Sequence, residues 1–531
     1  MNKAARYRLA ALSFVSSLAL TLPACMGAAP TGSGATEEEP AAAVAAAPTA
    51  SDTAYVPHPS EPMSCNANGQ RFHCKGHVRM DVKPSFTFTP DVATAFGPAD
   101  LASAYALDAT LKPTATVAIV DAFGYANADA DLAKYRAQYN LTPCTVANGC
   151  LTIVNQEGKT TPLPSAPPAN DDWTVETALD LDMASAACPS CKLLLVQADD
   201  DTSDGLMIAQ ATAAGLGASV ISNSWGGPES KAQTGASQEH FMNVGKPIAI
   251  FVAAGDDGYD DGGSGPDYPS VSAFVIAVGG TSLTKSASTT RGWTETAWST
   301  TTKAKGAGGS SCSISIAKPT YQNALNTTCT FRAAADIAAV ADPATGVAVY
   351  NANAGGFIVV GGTSAASPFV AGVFALYGKG ASAPSFPYSN TGAFFDVLTG
   401  TNGTCGNILC NATKGWDGPT GVGTPNGAMF ASSTAAVPGD MAMGPDMALG
   451  PDMAQVVSAG GPVTGGGTSS GTGSGTNGDT GGTSTGSGST ASSANSGIGC
   501  SFGGAETAGG GWLLTLGFTM LATWRRRRRN G

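Results

Sequence analysis

Gly355–Tyr377 reads Gly-Gly-Phe-Ile-Val-Val-Gly-Gly-Thr-Ser-Ala-Ala-Ser-Pro-Phe-Val-Ala-Gly-Val-Phe-Ala-Leu-Tyr. The β-branched run Phe357–Val360 predicts a short strand that ends at a double glycine. Thr363 and Ser364 then open an apolar segment of helical length, Ser364–Gly378. Pro368 is expected in its first turn, where a missing N–H costs little. Ser364 should therefore sit at or near a helix N-terminus, where free N–H groups and the dipole favour a developing anion. Gly362 would let another stretch of chain approach closely. A nucleophilic serine would be mounted in this way, but an N-capping serine would look the same, and this stretch alone leaves both readings open. The G-x-S-x-G elbow is excluded, because Ala366 stands where its second glycine would be.

Working outward, the chain has 531 residues, of which 12% are charged, with a net charge of −12. That excludes the basic face nucleic-acid binding requires; basic residues cluster only at Arg525–Arg529. Ten of the twelve cysteines form close pairs: Cys65/Cys74, Cys144/Cys150, Cys188/Cys191, Cys312/Cys329 and Cys405/Cys410. Such a set behind a signal peptide predicts local disulfides in an exported protein. Cys188-Pro-Ser-Cys191 could instead be a metal or redox motif, but it stands alone, with no histidine at zinc spacing. Cys25 and Cys500 are left over.

Residues 1–25 have a basic start and an apolar run, Leu9–Leu22, as expected of a signal peptide. Leu22-Pro23-Ala24-Cys25 resembles a lipobox, which leaves lipidation and ordinary cleavage both open. Residues 26–54 are an Ala/Pro/Glu/Thr-rich linker. Residues 55–434 alternate strand-like runs with helical patterns and predict one α/β domain. The expected strands are Thr116–Val120, Leu151–Val154, Leu193–Gln197, Ser219–Asn223, Ile248–Ala253 and Phe274–Val278. The expected helices are Asp129–Tyr139, Thr174–Ala187, Ser203–Ala214 and Ser364–Gly378. Near-continuous apolar strands imply a mostly parallel sheet flanked by helices on both faces, with chemistry at the carboxyl ends of its strands. Residues 435–498 form a low-complexity spacer in which Pro445-Asp-Met-Ala448 recurs as Pro451-Asp-Met-Ala454. Residues 499–531 hold Cys500, the apolar stretch Trp512–Trp524 and the arginines. They resemble the C-terminal sorting tails of myxobacteria; a plain membrane anchor is the alternative. The expected location is the cell surface, or secretion after C-terminal processing, and the expected state is monomeric.

Four segments carry chemistry. None of the four histidines, His58, His73, His77 and His240, lies in an H-G-T context, so Ser364 needs another base. Glu176 and Asp180 are four apart and share one face of the predicted helix, flanked by Val175, Ala178, Leu179, Leu181, Met183 and Ala184. Like charges beside an apolar wall raise a pKa, so the pair could hold one proton, with Glu176 as base and Asp180 orienting it. A solvated acidic face is the plainer reading. Asp182 points elsewhere. The buried strand Ile248–Ala253 runs into Gly255-Asp256, and an aspartate there can donate to an oxyanion only when protonated, which implies work in acid. A loop aspartate capping a turn, or binding metal with Asp257, Asp260 and Asp261, is its alternative. Val220–Gly227 is a strand end suited to pairing with an extended peptide.

Glu176-x-x-x-Asp180, Ser222-x-Ser-Trp-Gly226, Ala253-x-Gly-Asp256 and Gly362-Thr-Ser-x-x-Ser-Pro368, in this order, resemble the sedolisin, or serine-carboxyl peptidase, family. The resemblance spans about residues 88–426 and includes Val278-Gly-Gly-Thr-Ser282 and Pro319-x-Tyr-Gln322. It implies a subtilisin-like fold and cleavage of protein or peptide substrates through an acyl-enzyme. Ser364 would be the nucleophile, Glu176 its base, Asp180 the glutamate's partner and Asp256 the oxyanion donor. Asp121 and Trp225 would belong to an outer hydrogen-bond network. The resemblance also implies one structural Ca2+, with carboxylates from Asp396 and Asp417 and carbonyls from Val397, Thr413 and Gly415. Two turn aspartates are the alternative. Family precursors carry a large N-terminal propeptide, for which little chain precedes the first matching motif here.

Two other functions stand against the peptidase. A non-catalytic adhesion or peptide-binding protein on the same scaffold would be expected to have lost at least one of the four catalytic positions. An ester or lipid hydrolase would need an elbow motif and a histidine.

Overall fold

Buried strands and covering helices between residues 116 and 376 are what place the chemistry-bearing side chains. The computed structural model describes residues 55–65, 72–233, 241, 247–299 and 306–434. The expected signal peptide, linker, spacer and C-terminal segment lie outside the described residues, as does His240.

The described chain opens with three short strands, β1 (Ser60–Pro62), β2 (His73–Cys74) and β3 (His77–Arg79). There follow α1 (Pro98–Ala104), β4 (Thr116–Ala122), α2 (Ala128–Gln138), β5 (Leu151–Asn155), α3 (Trp173–Ala187), β6 (Lys192–Ala198) and α4 (Ser203–Gly215). Next come β7 (Val220–Asn223), β8 (Trp225–Pro228), β9 (Ala249–Ala253), β10 (Asp257–Tyr259), β11 (Asp267–Tyr268), β12 (Ile276–Lys285) and β13 (Trp293–Ala297). The long strand β14 (Ala307–Ala317) leads to β15 (Phe331–Ala334), β16 (Ile337–Val340), β17 (Val347–Asn351), β18 (Gly356–Gly361) and α5 (Thr363–Leu376).

The central sheet has the order β13-β12-β9-β7-β4-β6-β5, with β16 also paired to β12. Only β13 is antiparallel to its neighbour; the other pairings are parallel. The α/β class, the mostly parallel sheet and the flanking helices are thus as expected. Helices α3 and α5 pack on each other, and both touch β4; α4 packs on β4 and β6. The strands are Val-, Ile-, Leu- and Ala-rich because a parallel sheet covered on both faces meets no solvent.

The six expected strands are all present, though β12 begins two residues later than expected and runs on to Lys285. The four expected helices are also present, with boundaries shifted by one or two residues. One expectation is corrected. Because α5 starts at Thr363, Pro368 lies inside the helix, beyond the first turn. It has no N–H for the Ser364 carbonyl; the Ser224 hydroxyl lies 3.5 Å from that oxygen instead. The five local cysteine pairs are disulfides. Among the described residues no helix is long and apolar enough to cross a membrane.

Candidate active site

Strand β18 ends at Gly361, and Gly362 turns the chain into α5 with φ at +101°, a conformation that favours glycine. Ser364 is then the second residue of the helix and is fully buried. Its backbone N–H donates to the Lys75 carbonyl at 2.8 Å. Its hydroxyl donates to the Ser224 carbonyl at 3.3 Å and accepts from the Lys75 N–H at 3.0 Å. The Ser222 and Ser367 hydroxyls meet at 2.9 Å and tie β7 to the same helix.

Glu176 and Asp180 stand on α3, which packs directly on α5, and both are fully buried. Asp180 Oδ1 accepts from the Ser224 hydroxyl at 2.9 Å. Burial above all, then the charge of Asp121, raises the Glu176 pKa well above the carboxylate range, while the Ser364 hydroxyl draws it back. Neither Glu176 oxygen makes a hydrogen bond of good geometry, so that hydroxyl is a near neighbour rather than a formed partner. The Asp180 pKa is raised by burial, then by Asp121 and Glu176. The solvated-face alternative for this pair is therefore ruled out. Asp182, on the same helix, accepts from the Tyr350 N–H at 3.1 Å, away from this group.

Asp121 is the penultimate residue of β4 and is wholly buried; burial lifts its pKa to about 7. It acts on Glu176 and Asp180 by charge, and its own oxygens lack hydrogen bonds of good geometry. Trp225 Nε1 donates to the Val120 carbonyl at 2.8 Å, which fixes β8 against the sheet.

Asp256 follows β9. Its Oδ1 accepts from the Thr363 N–H and hydroxyl, both at 2.7 Å. Burial pushes its pKa up to about 8, against the opposing pull of Thr363 and Lys75. Its Oδ2 is 3.7 Å from His77 Nε2. The space a Cβ on Gly362 would fill is taken by the Lys75 carbonyl oxygen, the Gly76 Cα and Asp256 Oδ2. One carbonyl oxygen thus sits at the Ser364 N–H with the Asp256 carboxyl beside it.

The expected calcium residues lie apart from this cluster. Asp396 Oδ2 accepts from the Gly415 N–H at 2.9 Å, and Asp417 Oδ2 from the Thr413 N–H at 2.8 Å. Both carboxylates therefore close on one loop. Asp417 also accepts from the Thr420 N–H and hydroxyl. Burial first, with Asp396 adding its charge, raises the Asp417 pKa to about 7. Two acids held together this way suit a hard cation. Among the described residues no group of three or more His, Cys, Asp or Glu side chains is placed to hold a metal, and the expected set includes only two.

Sequence reasoning missed Lys75, Gly76, His77 and Asp267. Lys75 is 2% exposed, and its ammonium pairs with Asp267 and lies 2.8 Å from His73 Nε2. The one local signal was the cysteine-bracketed cluster of histidines next to them.

The profile of the subtilase family, Peptidase S8, matches residues 168–385. Kumamolisin from Bacillus sp. (strain MN-32) is 30% identical over 375 residues, which is 65% of this chain and 65% of kumamolisin. Sedolisin from Pseudomonas sp. (strain 101) is 30% identical over 375 residues, 64% of this chain and 61% of sedolisin. The chain thus spans slightly under two thirds of the length of these relatives. The solved structure of Pseudomonas sedolisin, a serine-carboxyl proteinase complexed with pseudo-iodotyrostatin, superposes with a TM-score of 0.54 at 26% identity. That match covers 64% of this chain and 97% of the other. Over its folded domain, the chain is similar in both sequence and fold to the serine-carboxyl proteinases of subtilisin-like architecture.

Proposed function

We propose that the chain is an exported serine-carboxyl endopeptidase that favours acid. Ser364 attacks the peptide carbonyl, Glu176 takes its proton, and Asp180 holds the charge arrangement around Glu176. The Ser364 N–H and the protonated Asp256 carboxyl receive the oxyanion. Water then hydrolyses the acyl-enzyme. The observation that carries this reading is the carbonyl oxygen seated at the Ser364 N–H beside Asp256 Oδ2. An Asp256 pKa of about 8 keeps that donor protonated throughout the acid range.

One Ca2+ held by Asp396, Asp417 and the carbonyls of Val397, Thr413 and Gly415 would brace the loop that carries them. The protein would act as a monomer at the cell surface, or be released after its C-terminal segment is processed. The test is hydrolysis of an unfolded protein from pH 3 to 8 by the wild type and by Ser364→Ala. Acid-weighted cleavage lost in the variant supports the reading. A folded wild type without activity at any pH would favour the non-catalytic binding protein instead.

A further inference from the structure

The two carboxyl oxygens of Asp256 have different surroundings. Oδ1 accepts from the Thr363 N–H and from the Thr363 hydroxyl, each at 2.7 Å. Two donors converge on that oxygen, and a proton placed on it would displace one of them. Oδ2 is buried and makes no hydrogen bond of good geometry among the described residues. It borders the space that a Cβ on Gly362 would enter, as does the carbonyl oxygen that accepts from the Ser364 N–H. The carboxyl proton therefore belongs on Oδ2, the oxygen that faces the acceptor.

Thr363 is itself held for this contact. It is the first residue of α5, directly before Ser364, and it is wholly buried. Its hydroxyl oxygen accepts from the Gly255 N–H at 3.2 Å. Its single hydroxyl proton then has two acceptors in reach, Asp256 Oδ1 at 2.7 Å and the Gly255 carbonyl at 3.2 Å, and the shorter contact takes it. One turn of helix thus orients both the nucleophile and the acid beside it.

We propose that Thr363 is a positioning residue for Asp256: its hydroxyl and N–H reserve Oδ1, so that the carboxyl presents its proton to the oxyanion from Oδ2. This inference rests on the peptidase reading above. The same two bonds favour the ionised carboxyl, so they pull the Asp256 pKa down from where burial alone would put it. The other charged or titratable groups facing Asp256 are Lys75, His77, Asp257 and Glu176. A substitution at Thr363 leaves all four in place, and a shift in the Asp256 titration then reads the hydroxyl.

The test compares the full-length wild type with Thr363→Val, which keeps the N–H and loses only the hydroxyl. Hydrolysis of an unfolded protein is followed from pH 3 to 10, with kcat and KM taken separately. Loss of the hydroxyl should lower kcat at pH 4 by about 10-fold with KM unchanged, because the proton is no longer confined to Oδ2. It should also move the alkaline limb up by about one pH unit from its wild-type place near pH 8, because a bond to the ionised form is gone. Thr363→Ser retains the hydroxyl and is expected to keep the limb near pH 8. Thr363→Cys, a weak donor, should shift the limb upward by a smaller amount, and it carries the test if the valine variant does not fold. A merely structural role would lower kcat and leave the limb in place. An unmoved or lowered limb in the valine or cysteine variant would therefore overturn this inference and spare the peptidase reading, as would a shifted limb in Thr363→Ser. A folded wild type that hydrolyses nothing at any pH would overturn both.

Discussion

Ser364 is poised by three neighbours rather than by a histidine: the Ser224 carbonyl at 3.3 Å, the Lys75 N–H at 3.0 Å, and the buried Glu176 carboxyl beside it. Four buried acids, Asp121, Glu176, Asp180 and Asp256, all have pKa values raised first by burial; Asp121 and Asp256 add to the rise at Glu176, and Asp121 and Glu176 to that at Asp180. In the proposed mechanism the proton Ser364 gives up would pass to Glu176, whose carboxyl oxygens make no hydrogen bond of good geometry. Glu176→Gln removes the acceptor and keeps the shape; peptide hydrolysis is expected to fall by about 100- to 10,000-fold, read as kcat at saturating substrate. Unchanged kcat would remove Glu176 from the mechanism. Asp256→Ala removes the proposed oxyanion donor, with an expected loss of about 100- to 1,000-fold in kcat. In the wild type the alkaline limb of the kcat profile should fall near pH 8, where Asp256 loses its proton.

The site is assembled by two helices. α5 carries Ser364, α3 carries Glu176 and Asp180, and they pack closely because Gly372 faces Ala184 and Ala187. A Cβ on Gly372 would stand 2.6 Å from the Ala187 Cβ. Gly372→Leu should therefore force the helices apart, at about 1–3 kcal/mol of stability, and weaken catalysis more than substrate binding. A variant with wild-type Tm and kcat would show that this contact does not set the site. This arrangement was largely legible in the sequence, because each acid and the serine sit in a local pattern with a helical or strand period. Pro368 was misplaced because the helix starts at Thr363, one residue before the apolar periodicity. Strand β14 was not anticipated, since Ala307-Gly-Gly-Ser-Ser-Cys312 lacks an apolar alternation. Lys75 and Gly76 were illegible for a different reason. Their role depends on pairing with residues up to 289 positions away, and no local spacing encodes that.

At the scale of the whole molecule, the buried acids couple stability to pH. Asp121 and Asp256 titrate near 7 and 8 in the fold against 3.8 when unperturbed, and Glu176, Asp180 and Asp182 are shifted in the same direction. Folded pKa values above the unfolded ones mean that the stabilisation is complete below about pH 4. It is lost as pH rises through 7 and 8. Tm should therefore be lower at pH 8 than at pH 5 by at least about 5 °C, measured by calorimetry in the same salt. An equal or higher Tm at pH 8 would mean these carboxyls are ionised in the fold. On the proposed Ca2+ site, a chelator at fixed pH should lower Tm further, and an unchanged Tm would exclude the site at Asp396 and Asp417.

The most direct test of the central claim is to trap the covalent intermediate. The protein would be mixed at pH 4 with a peptide ester bearing a good leaving group, quenched in strong acid and analysed by peptide mass spectrometry. A Ser-Glu-Asp peptidase predicts an acyl adduct on the peptide containing Ser364, absent in Ser364→Ala and strongly reduced in Glu176→Gln. Turnover of the ester at the same rate in Ser364→Ala, with no adduct on that peptide in the wild type, would contradict it.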